Sequence, residues 1–203
     1  MELVPSLALA GGLAWASGMR LYAVVFMVGM LGRFDFVDLP ESLRILEHQW
    51  VLTTAGILLI VEFFADKIPV VDTMWDSVHT FIRIPAGSLL ATLAMGDHDP
   101  VLMVVAALLG GTLTAGTHAF KAGGRALVNT SPEPFSNIVV SIGEDLFTTT
   151  GVITALYHPM IFLVLLALFI GLVILLLPKI WRGVRLVFGR LFGADPVAEN
   201  PKT

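Results

Sequence analysis

A run of nineteen consecutive apolar residues constrains this chain more than any other feature of its sequence. The run extends from Pro159 to Leu177, and it matches the length of about 20 apolar residues that a helix needs to span a bilayer. Hydrophobic residues make up 56% of the 203 residues and charged residues only 14%. Polar side chains are therefore too few to cover a soluble globule of this size. The sequence predicts an integral membrane protein.

Five further segments are predicted to span the membrane, which gives an all-α, polytopic helical membrane protein of about six spans. In chain order they are Leu3 to Leu31, Trp50 to Ala65, Phe81 to Met95, Val101 to Phe120 and Ile138 to Tyr157. The first is interrupted by glycines and by Arg20, so a re-entrant pair of half-helices is the alternative there. The six spans together form a predicted transmembrane domain over residues 1–178.

The segment after the last span is predicted to be an amphipathic helix on the membrane surface, over residues 179–193. Its apolar residues recur at helical spacing, and Lys179, Arg182 and Arg185 occupy other faces. Basic amphipathic helices of this kind bind anionic lipid headgroups. The polar tail over residues 194–203 is predicted to be disordered, because it has little apolar surface to bury.

Basic residues predict the orientation of the chain in an inner (plasma) membrane. Cytoplasmic loops carry an excess of Lys and Arg, so the basic residues after the last span place the C-terminus in the cytoplasm. With six spans, both termini and the connectors over residues 66–80 and 121–133 are cytoplasmic. The loop over residues 96–99 has no Lys or Arg, as expected outside the cell.

Composition also limits the chemistry and the partners. The absence of cysteine excludes disulfide scaffolds, thiol catalysis and iron–sulfur clusters. The formal net charge of −4 argues against a nucleic-acid partner. No cofactor is predicted, and a divalent cation is a hypothesis. The predicted partners are membrane lipid and an ion or small polar solute, with a homo-oligomer as a further hypothesis.

Two blocks share a plan of helix, polar connector and helix, over residues 50–95 and 101–157. The candidate residues of the first connector are Glu62, Asp66, Lys67, Asp72, Asp76, His79 and Arg83. Glu62 and Asp66 are four residues apart and share a helical face, and the set from Asp72 to Arg83 forms one stripe along the next helix. The four carboxylates, Glu62, Asp66, Asp72 and Asp76, are candidate ligands of a divalent cation. The alternative is a solvated loop whose charges pair with its own basic residues.

The second connector leans basic at its start and acidic at its end. Its candidate residues are His118, Lys121, Arg125, Asn129, Asn137, Glu144 and Asp145. The first three lie at i, i+3 and i+7 and share a helical face. The two connectors are predicted either to pair as structural ions or to form one polar cavity for an ion or an anionic small molecule.

Arg20 stands alone within the first predicted span. A charged side chain costs about 2.5–3.5 kcal/mol at the centre of a membrane helix, so it needs a partner. By depth, the predicted partners are Glu62 and Glu144. A buried structural salt bridge is the alternative to a functional role.

Two stretches of motif carry a resemblance to a known family. The first stretch is Ala65-Asp66-Lys67-Ile68-Pro69 with Asp72, Trp75-Asp76, His79 and Arg83-Ile84-Pro85-Ala86-Gly87. The second stretch contains Lys121, Arg125, Asn129, Ser131-Pro132, Ser141 and Glu144-Asp145. Together they resemble a family of small bacterial membrane proteins known only as a domain of unknown function, over about Ala10 to Leu177. The resemblance implies a polytopic inner-membrane protein and brings no activity or site with it.

The leading functional hypothesis is a small permease or channel, in which Arg20 and the two connectors line a polar pathway. The first alternative is a membrane-embedded, divalent-metal-dependent enzyme acting on a lipid phosphate or pyrophosphate, with Lys121 and Arg125 binding phosphate. The second alternative is a membrane scaffold or assembly factor whose charges are purely structural.

Overall fold

A computed structural model of the chain describes residues 2–96, 98–129 and 134–191, and these are almost entirely helical, without a strand. The elements in chain order are α1 (Leu3–Arg33), a 3₁₀ helix (Glu41–Glu47), α2 (Gln49–Ala65), α3 (Pro69–Ala94), α4 (Pro100–Val128), α5 (Pro134–Tyr157) and α6 (Pro159–Leu191). The last four helices each begin with proline, which suits a first helical position because its missing N–H would have no partner there. The predicted all-α, polytopic fold is confirmed.

The number of membrane-crossing helices differs from the prediction of about six. Among the described residues, α1, α4, α5 and α6 are long and apolar enough to cross a membrane, and the 3₁₀ helix with α2 forms a fifth, bent candidate. α3 falls short because polar residues such as His79 and Arg83 interrupt its apolar sequence. α6 continues through Pro178 to Leu191, so the predicted amphipathic segment extends the last span within one helix. The polar tail over residues 194–203 lies outside the described residues.

α1 is the central element of the bundle, and it is broken at Arg20. The backbone of Arg20 is non-helical (φ −146°, ψ 73°), so a half of 17 residues precedes it and a half of 13 residues follows it. The first half packs along α6 in the same direction, because Gly11 lies against Leu166 and Trp15 lies against Phe169.

The second half of α1 runs the other way. It packs along α2 in the opposite direction, because Phe26 lies against Gly56 and Gly29 lies against Leu52. Since α2, α4 and α6 all run in one direction, the two halves of α1 are antiparallel. α1 is therefore a re-entrant helical hairpin with Arg20 at its tip, which is the alternative that the glycines and Arg20 had indicated.

Contacts at the two ends of α1 place both on the same side of the bundle. Ser6 Oγ lies 2.9 Å from His98 Nε2. At the other end of α1, Arg33 Nη1 donates to the Glu47 carbonyl at 3.1 Å, at the end of the 3₁₀ helix. In the same 3₁₀ helix, Ser42 Oγ donates to the Leu93 carbonyl at 2.5 Å. We call this end, which contains His98, the distal end. The opposite end contains the α2–α3 turn at residues 66–68, and we call it the network end. Leu3 thus lies at the distal end of the bundle and α6 finishes at the network end, whereas the side of the membrane on which each terminus lies stays a prediction.

Small residues allow the re-entrant hairpin to pack tightly between the other helices. The core around it includes Ala8, Ala14 and Leu13, all buried, and a cage of aromatic rings around Trp15. Gly12 and Gly18 lie so close to α5 and α4 that an added Cβ would come within 2.7 Å of the Ala155 Cβ and 2.6 Å of the Thr114 carbonyl. Close helix approach through small residues is typical of packing in membranes.

Candidate functional site

The two predicted polar groups and Arg20 come together in one buried cluster at the network end, which we call the charge network. Its carboxylates are Glu62, Asp66, Asp72, Asp76, Glu144 and Asp145. Its cations are Arg20, Arg83, Lys121 and Arg125. Five helices supply these side chains, and the break in α1 lies among them.

Arg20 extends from the tip of α1 toward α2 and α5. Its Nη1 forms an ion pair with Asp66, and its Nη2 donates to both the carbonyl and the Oγ of Ser141 at 3.0 Å. Its Nε lies 3.0 Å from Asp145 Oδ1, and its Nη2 lies 3.7 Å from Glu144 Oε2. The guanidinium is fully buried, so these contacts replace its hydration.

One of the two predicted partners of Arg20 is therefore wrong. Glu144 lies within ion-pair distance, but Glu62 pairs with Arg83 instead. Helical periodicity placed Glu62 and Asp66 on one face of α2, but the tip of α1 reaches only the last turn of that helix. Asp66 is the residue at this position, and it forms the ion pair.

Arg125 joins α4 to α2 and α5. Its Nε and Nη2 donate to the two oxygens of Glu144 at 3.0 and 2.9 Å, in the bidentate geometry that suits guanidinium and carboxylate. Its Nη1 donates to the carbonyls of Asp66 and Asn137, both at 3.2 Å, and to Asn137 Oδ1. Asp72 lies 4.0 Å from its Nε. Arg125 thus holds the C-terminal part of α4 against the end of α2.

A second half of the network surrounds Arg83. Its Nη2 donates to Glu62 Oε1 at 2.5 Å, and its Nη1 donates to Asp76 Oδ1 at 2.9 Å and lies 3.1 Å from His118 Nδ1. Lys121 Nζ connects the two halves, because it lies 3.4 Å from both Asp76 Oδ1 and Asp66 Oδ2. One continuous chain of charges therefore runs from Glu62 to Asp145.

Polar side chains that the sequence had not singled out complete the surroundings of the network. Thr80 Oγ1 lies 2.7 Å from His118 Nε2, and Tyr22 Oη lies 3.0 Å from His79 Nε2. His79 also stacks on Trp75 at 4.0 Å between ring centroids. Thr80 lies four residues after Asp76, so the stripe along α3 could have indicated it. No pattern in the sequence singles out Tyr22.

Two of the predicted residues lie at the margin of the network. Lys67 Nζ donates to the Phe63 carbonyl at 3.0 Å and lies over the Phe63 ring, in the turn after α2. It contacts no network carboxylate within ion-pair distance among the described residues. Asn129 is closer, since its Nδ2 donates to Asp72 Oδ2 at 3.0 Å.

The four candidate metal ligands are arranged as ion-pair partners. Glu62 pairs with Arg83, Asp66 with Arg20 and Asp76 with Arg83 and Lys121. Asp72 lies 4.0 Å from Arg125 Nε. Across the described ranges, no group of three or more His, Asp and Glu side chains is arranged to hold a metal ion. This geometry gives no support to an enzyme that binds a divalent metal through these carboxylates.

The described network contains six carboxylates and four cations, an excess of two negative charges when its histidines are neutral. Four buried carboxylate oxygens accept no hydrogen bond from the described residues: Glu62 Oε2, Asp66 Oδ1, Asp72 Oδ1 and Asp76 Oδ2. Burying a charged oxygen without a partner is costly. A proton or a small cation would offset this cost, so the network is suited to take up positive charge.

A cleft connects the network to the surface of the bundle. It has a volume of about 530 Å³ and lies between α3, α4 and the last part of α6. Asp76, His118 and Arg125 line its inner side, and Trp181 lines its outer side. Small residues of α4 such as Ala119 keep it open. The buried charges are thus accessible from the network end.

Comparisons with known proteins give a family but no activity. No curated protein and no solved structure matches the chain. The model of a domain of unknown function, DUF4126, matches residues 7–179, which include most of α1, all of α2 to α5, most of α6 and every charge of the network. The chain therefore belongs to the DUF4126 family.

Proposed function

We propose that the protein is a small permease or channel for an ion or small polar solute, and that the charge network forms its polar pathway. The observation that carries this proposal is a cluster of four buried carboxylates, two partly buried ones and four buried cations around the broken tip of a re-entrant hairpin. Charges in membrane helices are costly and mark ion or substrate pathways. Broken helices and re-entrant elements are typical of the binding sites of transporters.

The charge balance favours a cation or a proton as the transported species. Carboxylates exceed cations by two in the described network, and four buried carboxylate oxygens lack a hydrogen bond there. An anion would add to this excess, whereas a positive charge would neutralise part of it. The cleft beside His118 provides the approach from the network end.

The network end faces the cytoplasm in this proposal. Lys179, Arg182 and Arg185 are exposed on the part of α6 beyond the apolar run, at that end. The distal end carries an exposed acidic surface that includes Asp35, Glu41 and Asp99. The excess of basic residues on one side favours its retention in the cytoplasm.

Uptake into proteoliposomes tests the proposal. The purified protein is reconstituted, and proton and Na⁺ uptake are measured with fluorescent indicators, beside the melting temperature in detergent. Glu62→Gln and Asp66→Asn are expected to abolish uptake. Both variants also lower the melting temperature, because each leaves a buried cation with fewer partners, so uptake is compared at equal amounts of folded, reconstituted protein. Glu41→Gln, an exposed change at the distal end, is the matched control and is expected to leave uptake unchanged.

A structural scaffold is the second candidate, and the pairing of every network cation with at least one carboxylate favours it. This candidate predicts that the wild-type protein gives no more uptake than protein-free liposomes. That result would reject the permease, whereas the variants of the network carboxylates are expected to lose stability under either candidate function.

A further inference from the structure

An apolar groove runs along the outside of the bundle between α4 and α6. It has a volume of about 790 Å³, and Leu113, Gly116, Phe169 and Val173 line it. Trp181 lies where the groove meets the cleft described above, because it lines both. The two depressions therefore form one continuous surface that is apolar along its length and polar at the network end.

The dimensions of this surface match one leaflet of a bilayer. On α6, the groove extends from Leu166 to Trp181, which is about 22 Å at the rise of an α-helix. Half of a bilayer, headgroup region included, measures about 20–22 Å. The basic residues Lys179, Arg182 and Arg185 lie at the end of this stretch and are exposed at the depth of the lipid headgroups.

We propose that this surface binds an anionic phospholipid of the leaflet at the network end. One acyl chain lies in the groove. Arg185, one turn after Trp181, is the residue placed to contact the phosphate, and Arg182 adds positive charge at the depth of the headgroups. The rest of the headgroup faces Ser77 and Thr80 in the cleft. Trp181 lies at the boundary between chain and headgroup, where tryptophan is enriched in membrane proteins. The site is independent of whether the charge network conducts an ion.

The positive charges beside the groove favour an anionic lipid as its occupant over a neutral lipid or a second copy of the chain. The sequence from residue 179 to residue 191 contains four basic residues and no acidic one. Each Lys or Arg near the surface contributes about 1 kcal/mol to the attraction of anionic lipid, which corresponds to about fivefold in affinity. A neutral lipid or a second copy of the apolar α6 would gain nothing from these charges.

Gly116 provides a direct test, because an added Cβ there meets no atom within 4 Å and points into the groove. The protein is delipidated, incubated with mixed vesicles of phosphatidylglycerol and phosphatidylcholine, and repurified, and its retained lipid is measured by native mass spectrometry. Gly116→Leu fills the groove and is expected to abolish retention. Gly171→Leu is the matched control, since Gly171 is equally open but lies outside the groove.

The headgroup is tested separately with Arg182→Gln and Arg185→Gln. The double variant is expected to lose the preference for phosphatidylglycerol, by about fivefold for each residue, while some lipid is still retained. Equal retention by the wild type, Gly116→Leu and Gly171→Leu would overturn the proposal. Equal retention of the two lipids by the wild type would also overturn it. Melting temperatures exclude misfolding as the cause of a loss.

Discussion

Arg20 determines how the buried charges are arranged at the scale of single residues. Its guanidinium contacts α2 through Asp66 and α5 through Ser141 and Asp145, so it ties the tip of α1 to two other helices. Removing one member of a buried ion pair costs about 3–5 kcal/mol, because the partner is left buried and charged. Asp66 would keep only Lys121, at 3.4 Å, and more distant charges.

Arg20→Ala is therefore expected to destabilise the protein by several kcal/mol and to reduce its yield in the membrane. Adding Asp66→Asn removes the unpaired negative charge and is expected to restore part of the loss. The measurement is the melting temperature in detergent together with the yield of folded protein. Arg33→Ala is the control, because Arg33 is exposed and pairs only with a backbone carbonyl. Equal stability of Arg20→Ala and the wild type would contradict a tightly paired Arg20.

The sequence indicates which residues belong to the network. It does not indicate as readily which of them form ion pairs with each other. Glu62, Arg83 and Glu144 stand out because charges are expensive within apolar segments. Pairing depends on helix direction and on the point at which the first helix turns back, and neither follows from helical periodicity. Glu62 was expected to pair with Arg20 for this reason, but the reversal of α1 brings Asp66 there instead.

At the scale of the elements, the re-entrant α1 depends on close contacts that only glycine permits. Gly18 lies two residues before the break, and an added Cβ there would come within 2.6 Å of the Thr114 carbonyl and 2.8 Å of the Thr117 Cβ. A backbone carbonyl cannot rotate away as a side chain can. The tip of α1 therefore reaches the network only while position 18 lacks a side chain.

Gly18→Ala is expected to destabilise the protein by about 1–3 kcal/mol, the usual cost of overpacking a close contact. Gly171→Ala is the matched control: its added Cβ meets nothing within 4 Å, so it is expected to be neutral or slightly stabilising through helix propensity. Melting temperatures of the two variants in the same detergent give the comparison. A smaller effect at position 18 than at position 171 would contradict the close packing of α1 against α4.

Hydropathy predicted the positions of the helices well. It gave the re-entrant path of the first helix only as an alternative. The predicted spans over residues 101–120, 138–157 and 159–177 all lie within α4, α5 and α6. An amphipathic or apolar pattern records which faces are buried, but it does not record whether a helix continues or turns back. For α1, the reversal is defined by packing against α2 and α6, which are distant in sequence.

At the scale of the whole molecule, the re-entrant hairpin changes the topology. α1 starts and ends at the distal end, so the helices that traverse the bundle begin with α2. α3 is too polar to qualify as a span by composition, but it returns from the network end to the distal end, so five helices from α2 to α6 traverse the bundle. An odd number of crossings would place Glu2 and the end of α6 on opposite sides of a membrane. A first helix that crossed the membrane once would place them on the same side.

Cysteine labelling distinguishes these topologies cleanly, because the chain has no native cysteine. Single cysteines are placed at Glu2, Glu41 and Asp99 at the distal end and at Arg182 at the network end, all of which are exposed. A membrane-impermeant maleimide added to intact cells is expected to label the three distal positions and to label Arg182→Cys only after lysis. This follows because basic residues keep the network end in the cytoplasm.

The position that decides the question is Glu2, since the other three belong to segments whose sides are the same in both topologies. Glu41 and Asp99 report the distal end, and Arg182 reports the network end, so they calibrate the assay in the same membrane. Labelling of Glu2→Cys together with Glu41→Cys means that α1 returns to the side from which it entered. Labelling of Glu2→Cys only under the conditions that label Arg182→Cys would mean that α1 crosses once. In that case Arg20 could not lie at the tip of a hairpin, and the arrangement of the charge network around it would be wrong.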